Sequence, residues 1–114
     1  MQPIDTDAFE HLVADALDAL PDGLVDLLDN VVLMVDDEHP DEDLLGLYEG
    51  IPRTEREDYG GFELPDRITL YRLPLCDMCK DLEMLTDEVM ITVVHELAHH
   101  LGIDDDHLHE LGWG

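Results

Sequence analysis

The segment HELAHHLGIDDDH, residues 95–107, carries the side chains of this chain that are best suited to bind a metal ion. On an α-helix, His95 and His99 lie about 40° apart and one turn along the axis, so both imidazoles can reach one ion. Glu96 projects roughly 80° from that pair, which keeps it off the metal but close to a water that the metal activates. His100 points about 120° away and is assigned a supporting or surface role. The spacing predicts a zinc site with Glu96 as general base.

A third ligand is expected just after the helix. Gly102 is expected to end the helix and let the chain reverse, and Asp105 follows three residues later. Zinc accepts a carboxylate oxygen as well as an imidazole nitrogen, so Asp105 is a candidate ligand. His107 is the main alternative, because imidazole usually binds zinc more tightly than carboxylate and the sequence does not fix the turn after Gly102. The other nearby candidates are Asp104, Asp106 and His109.

The segments before the motif predict helices and short strands that position it. Apolar residues at helical spacing predict an amphipathic helix over residues 6–20, which the PDG segment at 21–23 ends. Three segments are typical of strands: NVVLMV at 30–35, LLGLYEG at 44–50 and RITLYR at 67–72. The first is apolar throughout and is expected to be central and covered on both faces, whereas the third alternates and is expected at a sheet edge.

The C-terminal half of the chain predicts a loop and two helices. Residues 51–66, rich in charge, glycine and proline, are predicted to form a long surface loop. A short helix is expected around residues 75–83. A long helix is then expected to begin at Thr86 as N-cap and to run to Leu101 with the HExxH motif on it.

Composition and charge narrow the range of partners. The chain has 114 residues, a length that predicts one domain, and a formal net charge of -25 from 30 acidic and five basic residues. Such an acidic surface repels nucleic-acid phosphates and anionic lipids, so neither nucleic acid nor membrane is an expected partner. The segment MQPIDTDAFE lacks a basic and apolar leader, and a cytoplasmic protein is therefore expected.

Cys76 and Cys79 form one CxxC motif, in the segment PLCDMCKD. A structural zinc site would need two further ligands, and the sequence has no second CxxC. The preferred interpretation is two thiols at the start of a helix, with a redox pair or a shared metal as the alternatives.

The extended pattern HExxHxxGxxD across residues 95–105 resembles the zinc-binding signature of metzincin-type metallopeptidases, with an aspartate where most carry a third histidine. The blocks LDNVVLMVDDE, LLGLYEG, DYGG, LPDRITLYR and ITVVHELAHHLGI, in this order, resemble a family of small single-domain bacterial zinc-dependent peptidases with a zincin-like fold. The likeness covers nearly the whole chain. It implies one α+β domain over residues 1–114, with a few-stranded mixed sheet packed against helices and the motif on the long helix near the C-terminus.

The resemblance also implies a zinc metallopeptidase with His95, His99 and Asp105 as ligands and Glu96 as catalytic base. The expected substrate is a peptide or protein, which could pair with an edge strand such as RITLYR, and Tyr71 or Tyr59 could stabilise the oxyanion. A monomer is expected.

The alternative is a non-catalytic metal-binding interaction module. Metzincins carry a methionine-containing turn beneath the metal, downstream of the third ligand. Nine residues follow Asp105 (114 minus 105) and none is methionine, so Met78 or Met90 would have to substitute. The absent turn and the small size favour this alternative.

Overall fold

The computed structural model of the chain describes residues 1–50 and 65–113. Within these ranges the helices are α1 (Thr6–Asp18), α2 (Asp22–Leu27), α3 (Arg72–Met78), α4 (Leu82–Leu101) and α5 (Asp105–Glu110), and the strands are β1 (Val31–Asp36), β2 (Gly46–Glu49) and β3 (Asp66–Tyr71). The predicted α+β class, with a few-stranded mixed sheet and a long helix carrying the motif, is confirmed. Nearly all of the predicted loop at 51–66 lies outside the described residues.

The sheet has the strand order β1-β3-β2, with β3 in the middle. β3 pairs with β1 in parallel, Val31 opposite Asp66, and with β2 antiparallel, Gly46 opposite Leu70. The sequence predicted that β1 is central and that β3 lies at an edge, and this prediction is wrong, because β3 is the central strand. Among the described strands β1 lies at an edge, and its Val32 is 43% exposed. An apolar sequence shows that a strand can be buried on both faces, but pairing on both edges determines which strand is central.

Helices α1 and α4 pack against one face of the sheet. The buried residues that the two helices contribute to the core shared with the sheet recur at spacings of three and four, which places them on one side of each helix. The shared core contains Phe9, Val13 and Ala16 from α1, Leu85, Val89 and Val93 from α4, and Ile68 and Leu70 from β3. The motif-bearing helix is thus fixed to the sheet along its N-terminal half.

Helix α4 begins five residues before the predicted start, comparing one N-cap with the other. Asp81 is its N-cap, and its carboxylate accepts a hydrogen bond of 2.9 Å from the backbone N–H of Met84. Thr86 lies inside the helix, where its hydroxyl donates to the Leu82 carbonyl at 2.9 Å. That bond satisfies the hydroxyl within the helix, so Asp81 takes the capping role predicted for Thr86. The predicted short helix at 75–83 is also displaced, and α3 ends at Met78. In the described ranges no helix is long and apolar enough to cross a membrane.

Candidate metal centre

A tight turn folds α5 back against the end of α4. Gly102 is the C-cap of α4 and has φ 67° and ψ 32°, a left-handed conformation that glycine adopts without strain. The N–H of Ile103 donates to the Ala98 carbonyl at 2.9 Å. Asp104 then caps α5, because its carboxylate accepts from the His107 backbone N–H at 2.8 Å. Backbone groups at the end of α4 and at the start of α5 are therefore hydrogen-bonded within a turn of only three residues. Gly102 ends α4, as the sequence predicted.

The side chain of Leu108 anchors α5 in this position. Leu108 is buried in a cluster with Val94 and Ala98 of α4 and with Leu20 and Leu24. It is the buried residue of this six-residue helix. Since so short a helix has little stability of its own, this contact fixes both the position and the rotation of α5 relative to α4.

A cavity of about 550 Å³ lies between the two helices. Its polar lining comes from two pairs of residues, each pair four positions apart on its own helix: His95 and His99 on α4, and Asp105 and His109 on α5. Residues with that spacing lie on one face of a helix. The remaining lining is apolar and consists of Ile91, Val94, Ala98, Ile103, Leu108 and Trp113. The turn thus brings His95, His99 and Asp105 to one cavity, together with His109.

His107, the main alternative ligand in the sequence, does not line this cavity. His109 does, although the sequence offered it only as one of several nearby candidates. The spacing of four between Asp105 and His109 is the signal that distinguishes it from His107, because it repeats the spacing of His95 and His99.

The chemistry of these side chains fits a zinc ion. Imidazole nitrogens and a carboxylate oxygen are ligands that zinc prefers. All four polar side chains are exposed, and none has a hydrogen bond or ion pair within the described ranges, so each is free to turn. Among the described residues, no three His, Cys, Asp or Glu side chains already lie close enough to share an ion. Metal binding would therefore require these exposed side chains to change position.

Glu96 lies on the opposite side of His95 from α5. It is half-buried and lines a second cavity, of about 260 Å³, between α4 and the start of β2. His95 lines both cavities, so it marks their boundary. The strand lies very near the helix here, because a Cβ added to Gly46 would come within 2.7 Å of the Thr92 side chain. Glycine at position 46 permits this approach.

His100 is exposed and lies over β2. Its ring stacks on the ring of Tyr48, with centroids 3.9 Å apart and planes at 14°. The Tyr48 hydroxyl donates to the carboxylate of Asp66 at 2.7 Å, which connects β2 with the start of β3. This contact agrees with the supporting role predicted for His100.

Two tyrosines were predicted as candidates to stabilise an oxyanion, and neither can be placed at the motif. Tyr71 is only 4% exposed and lines a separate cavity of about 190 Å³ that contains no motif residue. Burial raises the pKa of its hydroxyl, and the nearby charges of Glu49 and Asp36 add to that effect. Tyr59 lies outside the described residues.

The CxxC pair lies at the end of α3 rather than at the start of a helix. Cys76 and Cys79 are both buried, and both are free thiols. Burial, and then the charge of Glu88, raises the pKa of the Cys79 thiol. A raised pKa keeps this thiol protonated at neutral pH and therefore a poor nucleophile or metal ligand. The pair belongs to the core between α1 and α4.

The methionines proposed as substitutes for the missing turn are not at the cavity. Met78 is 43% exposed on α3, and Met90 is half-buried against the core. Neither lines the space beside His95 and His99. A methionine floor of the metzincin kind is therefore not formed by either residue.

Comparison with known proteins identifies the family. The zincin-like metallopeptidase family matches residues 28–113, and the chain belongs to this family. A similar solved structure is that of a conserved hypothetical protein from Thermus thermophilus, with a TM-score of 0.57 and 29% identity over 86% of this chain and 94% of that one. No curated protein matches the chain.

Proposed function

We propose that the protein is a metzincin-type zinc metallopeptidase that hydrolyses peptide bonds. His95, His99 and Asp105 would hold the metal, and Glu96 would be the general base. The observation that carries the proposal is the shared cavity, which three residues from two helices line together. Glu96 faces the adjoining cavity, with His95 at the boundary. Membership of the zincin-like family supports the same chemistry.

The chain's own residues have distinct roles in the reaction. A zinc ion held by these residues would supply a Lewis acid for a carbonyl and a water. The Glu96 carboxylate would accept a proton from the attacking water and pass it to the leaving amine. Glu96 makes no hydrogen bond or ion pair within the described ranges, so its oxygens are available for this transfer. Its half-buried position limits competing water.

The substrate would pair with β2 rather than with β3. Both edges of β3 are occupied, by β1 and β2, which excludes the RITLYR segment as a site for strand addition. The outer edge of β2 has no strand partner among the described residues. A peptide extended along that edge would pass the cavity that Gly46 and Glu96 line. Asp43 and Glu88 also line it, which favours substrates with basic side chains.

The experiment that tests this function replaces Glu96→Gln and assays a library of extended basic peptides with the zinc-loaded protein. We expect the bound zinc to be unchanged and the rate of hydrolysis to fall by about 100-fold or more, because the amide cannot accept the proton. Glu83→Gln is the matched control, since Glu83 is an exposed glutamate on the same helix that lines neither cavity. Its activity should equal that of the wild type. Wild-type activity in the Glu96→Gln variant would exclude this mechanism.

A second candidate function is a metal-binding interaction module without catalysis. One observation favours it: four potential protein ligands, rather than three, line the cavity. A site in which four protein groups bind zinc is structural, whereas a catalytic site keeps one position open. Tight zinc binding with no cleavage of any library peptide, in the wild type and in variants at position 109, would support the module.

A further inference from the structure

We propose that His109 is a fourth protein ligand of the metal, and that it closes the site in the resting protein until a substrate displaces it. The inference rests on the proposed metal site at His95, His99 and Asp105. It assigns a regulatory role to a histidine that lies outside the HExxHxxGxxD pattern. Its basis is the second pair of donors, Asp105 and His109, which lies four residues apart on α5 and faces the first pair across one cavity.

The rotation of α5 separates His109 from His107. Leu108 is buried against α4 and sets the direction of the helix's inner face. At about 100° per residue, Asp105 and His109 lie about 60° and 100° from Leu108 on one flank, whereas His107 lies about 100° away on the other. The cavity lining follows this geometry, since it includes Asp105 and His109 but not His107.

The backbone of His109 is held, while its side chain is free to turn. The N–H of Gly112 donates to the His109 carbonyl at 3.0 Å, and the N–H of Trp113 donates to the Leu108 carbonyl at 3.0 Å. These bonds close the C-terminal end of α5. The imidazole of His109 is exposed and has no hydrogen bond or ion pair in the described part of the chain. It can therefore swing toward the cavity or away from it by side-chain rotation alone.

A fourth protein ligand changes what the site can do. Zinc with four protein ligands is tetrahedral and has no position for water or substrate, whereas three ligands leave one position open. Imidazole is a good zinc ligand, so His109 would compete with water for that position. His109 is the ligand best able to leave, because Asp105 follows the capped turn directly and His95 and His99 lie on the long α4 helix. A substrate carbonyl entering from the β2 side would displace it.

The test uses the full chain, stripped of metal and titrated with zinc. Three quantities are measured: the zinc affinity, the number of imidazole ligands by X-ray absorption, and the exchange of metal-bound water by proton relaxation in the cobalt form. Trp113 lines the same cavity and is the chain's one tryptophan, so its fluorescence reports binding directly. We compare the wild type with His109→Ala, with the more conservative His109→Gln, and with His107→Ala as the matched control on the same helix.

We expect three imidazoles in the wild type and two in both position-109 variants. Zinc affinity should fall by about tenfold or more in those variants, a loss at least as large as that for removing a group that only supports a ligand. Water exchange should be faster than in the wild type. His107→Ala should match the wild type in all three measurements. If the His109 variants behave like His107→Ala, the inference is overturned.

His99→Ala separates failure of this inference from failure of the proposed function. If His99→Ala loses zinc while the His109 variants keep wild-type affinity and imidazole count, the three-ligand site stands and the role of His109 is wrong. If the wild type binds no zinc, or if His99→Ala binds as tightly as the wild type, both the proposed site and the role of His109 are overturned.

Discussion

His99 and His100 are neighbours in the sequence and both are exposed, yet they lie beside different parts of the fold. His99 faces the cavity beside α5 and has no hydrogen bond or ion pair in the described ranges. His100 faces the sheet, and its ring stacks on Tyr48 at a centroid distance of 3.9 Å. The Tyr48 hydroxyl in turn bonds Asp66. The ring of His99 makes no contact with another ring in the described ranges, whereas the ring of His100 joins the helix to β2.

The two sides of α4 therefore have different roles, one in holding the helix in place and one in the proposed metal site. On the sheet side, side chains hold α4 in place through stacking and hydrogen bonding. On the α5 side, the backbone of the turn and the buried Leu108 hold the helices together. The polar side chains that line this cavity are consequently not needed to hold the two helices together. Exposed groups with unused donor atoms are what a metal site requires before the metal arrives.

The largest effect that tests this comparison is on zinc binding. We expect His99→Ala to weaken zinc binding by more than about 100-fold, because a direct ligand contributes more than the groups that support it. His100→Ala should leave the affinity nearly unchanged, since that ring points to the sheet. Calorimetric titration of the metal-free proteins measures both. Equal losses in the two variants would mean that the two flanks of α4 do not differ as described.

A smaller effect is expected from the turn that positions α5. Gly102 has a positive φ of 67°, and a Cβ added there would meet no atom within 4 Å. Gly102→Ala should therefore cost about 1–2 kcal/mol of folding free energy through backbone strain alone. Gly102→Asn is the control, because asparagine tolerates this conformation better than alanine does. Urea unfolding of the metal-free proteins measures the free energy of unfolding of both variants. If the alanine variant is as stable as the asparagine variant, backbone strain at position 102 is not the cause of the loss.

The smallest effect is on the sheet side of α4. His100→Ala removes the stack on Tyr48 and should reduce the free energy of unfolding by about 0.5–1.5 kcal/mol. His99→Ala, measured without metal, should change it by less than about 0.5 kcal/mol because that side chain has no hydrogen bond, ion pair or ring contact in the described ranges. Chemical denaturation at neutral pH compares the two. A larger loss for His99→Ala than for His100→Ala would reverse the assignment of the two histidines.

The helix end at Gly102 was predicted correctly, whereas the role of His95, His99 and Asp105 as metal ligands stays a prediction. The spacing of His95 and His99, the stop at Gly102 and the proximity of Asp105 all depend on helix geometry over a few residues. The sequence favoured His107 over His109 as the alternative ligand. That choice rested on the type of ligand and did not consider which face of α5 lies toward the cavity. That direction depends on the burial of Leu108, which is a tertiary contact.

The arrangement of the sheet was less predictable, for a physical reason. Alternation and apolar content describe the faces of one strand, whereas the order of strands depends on which edges pair. β3 is central because both β1 and β2 pair with it, although its alternating sequence is typical of an edge. The start of α4 was also misplaced, because Asp81 and Thr86 are both good capping residues and the hydroxyl of Thr86 bonds inside the helix.

The most direct test of the central claim is a crystal grown with zinc and measured at the zinc absorption edge. The account predicts one strong anomalous peak per chain between α4 and α5, with His95, His99 and Asp105 about 2.0–2.2 Å from it. A peak at Cys76 and Cys79, a peak on the acidic segment DDEHPDED at residues 36–43, or no peak in crystals of the folded protein would contradict the account.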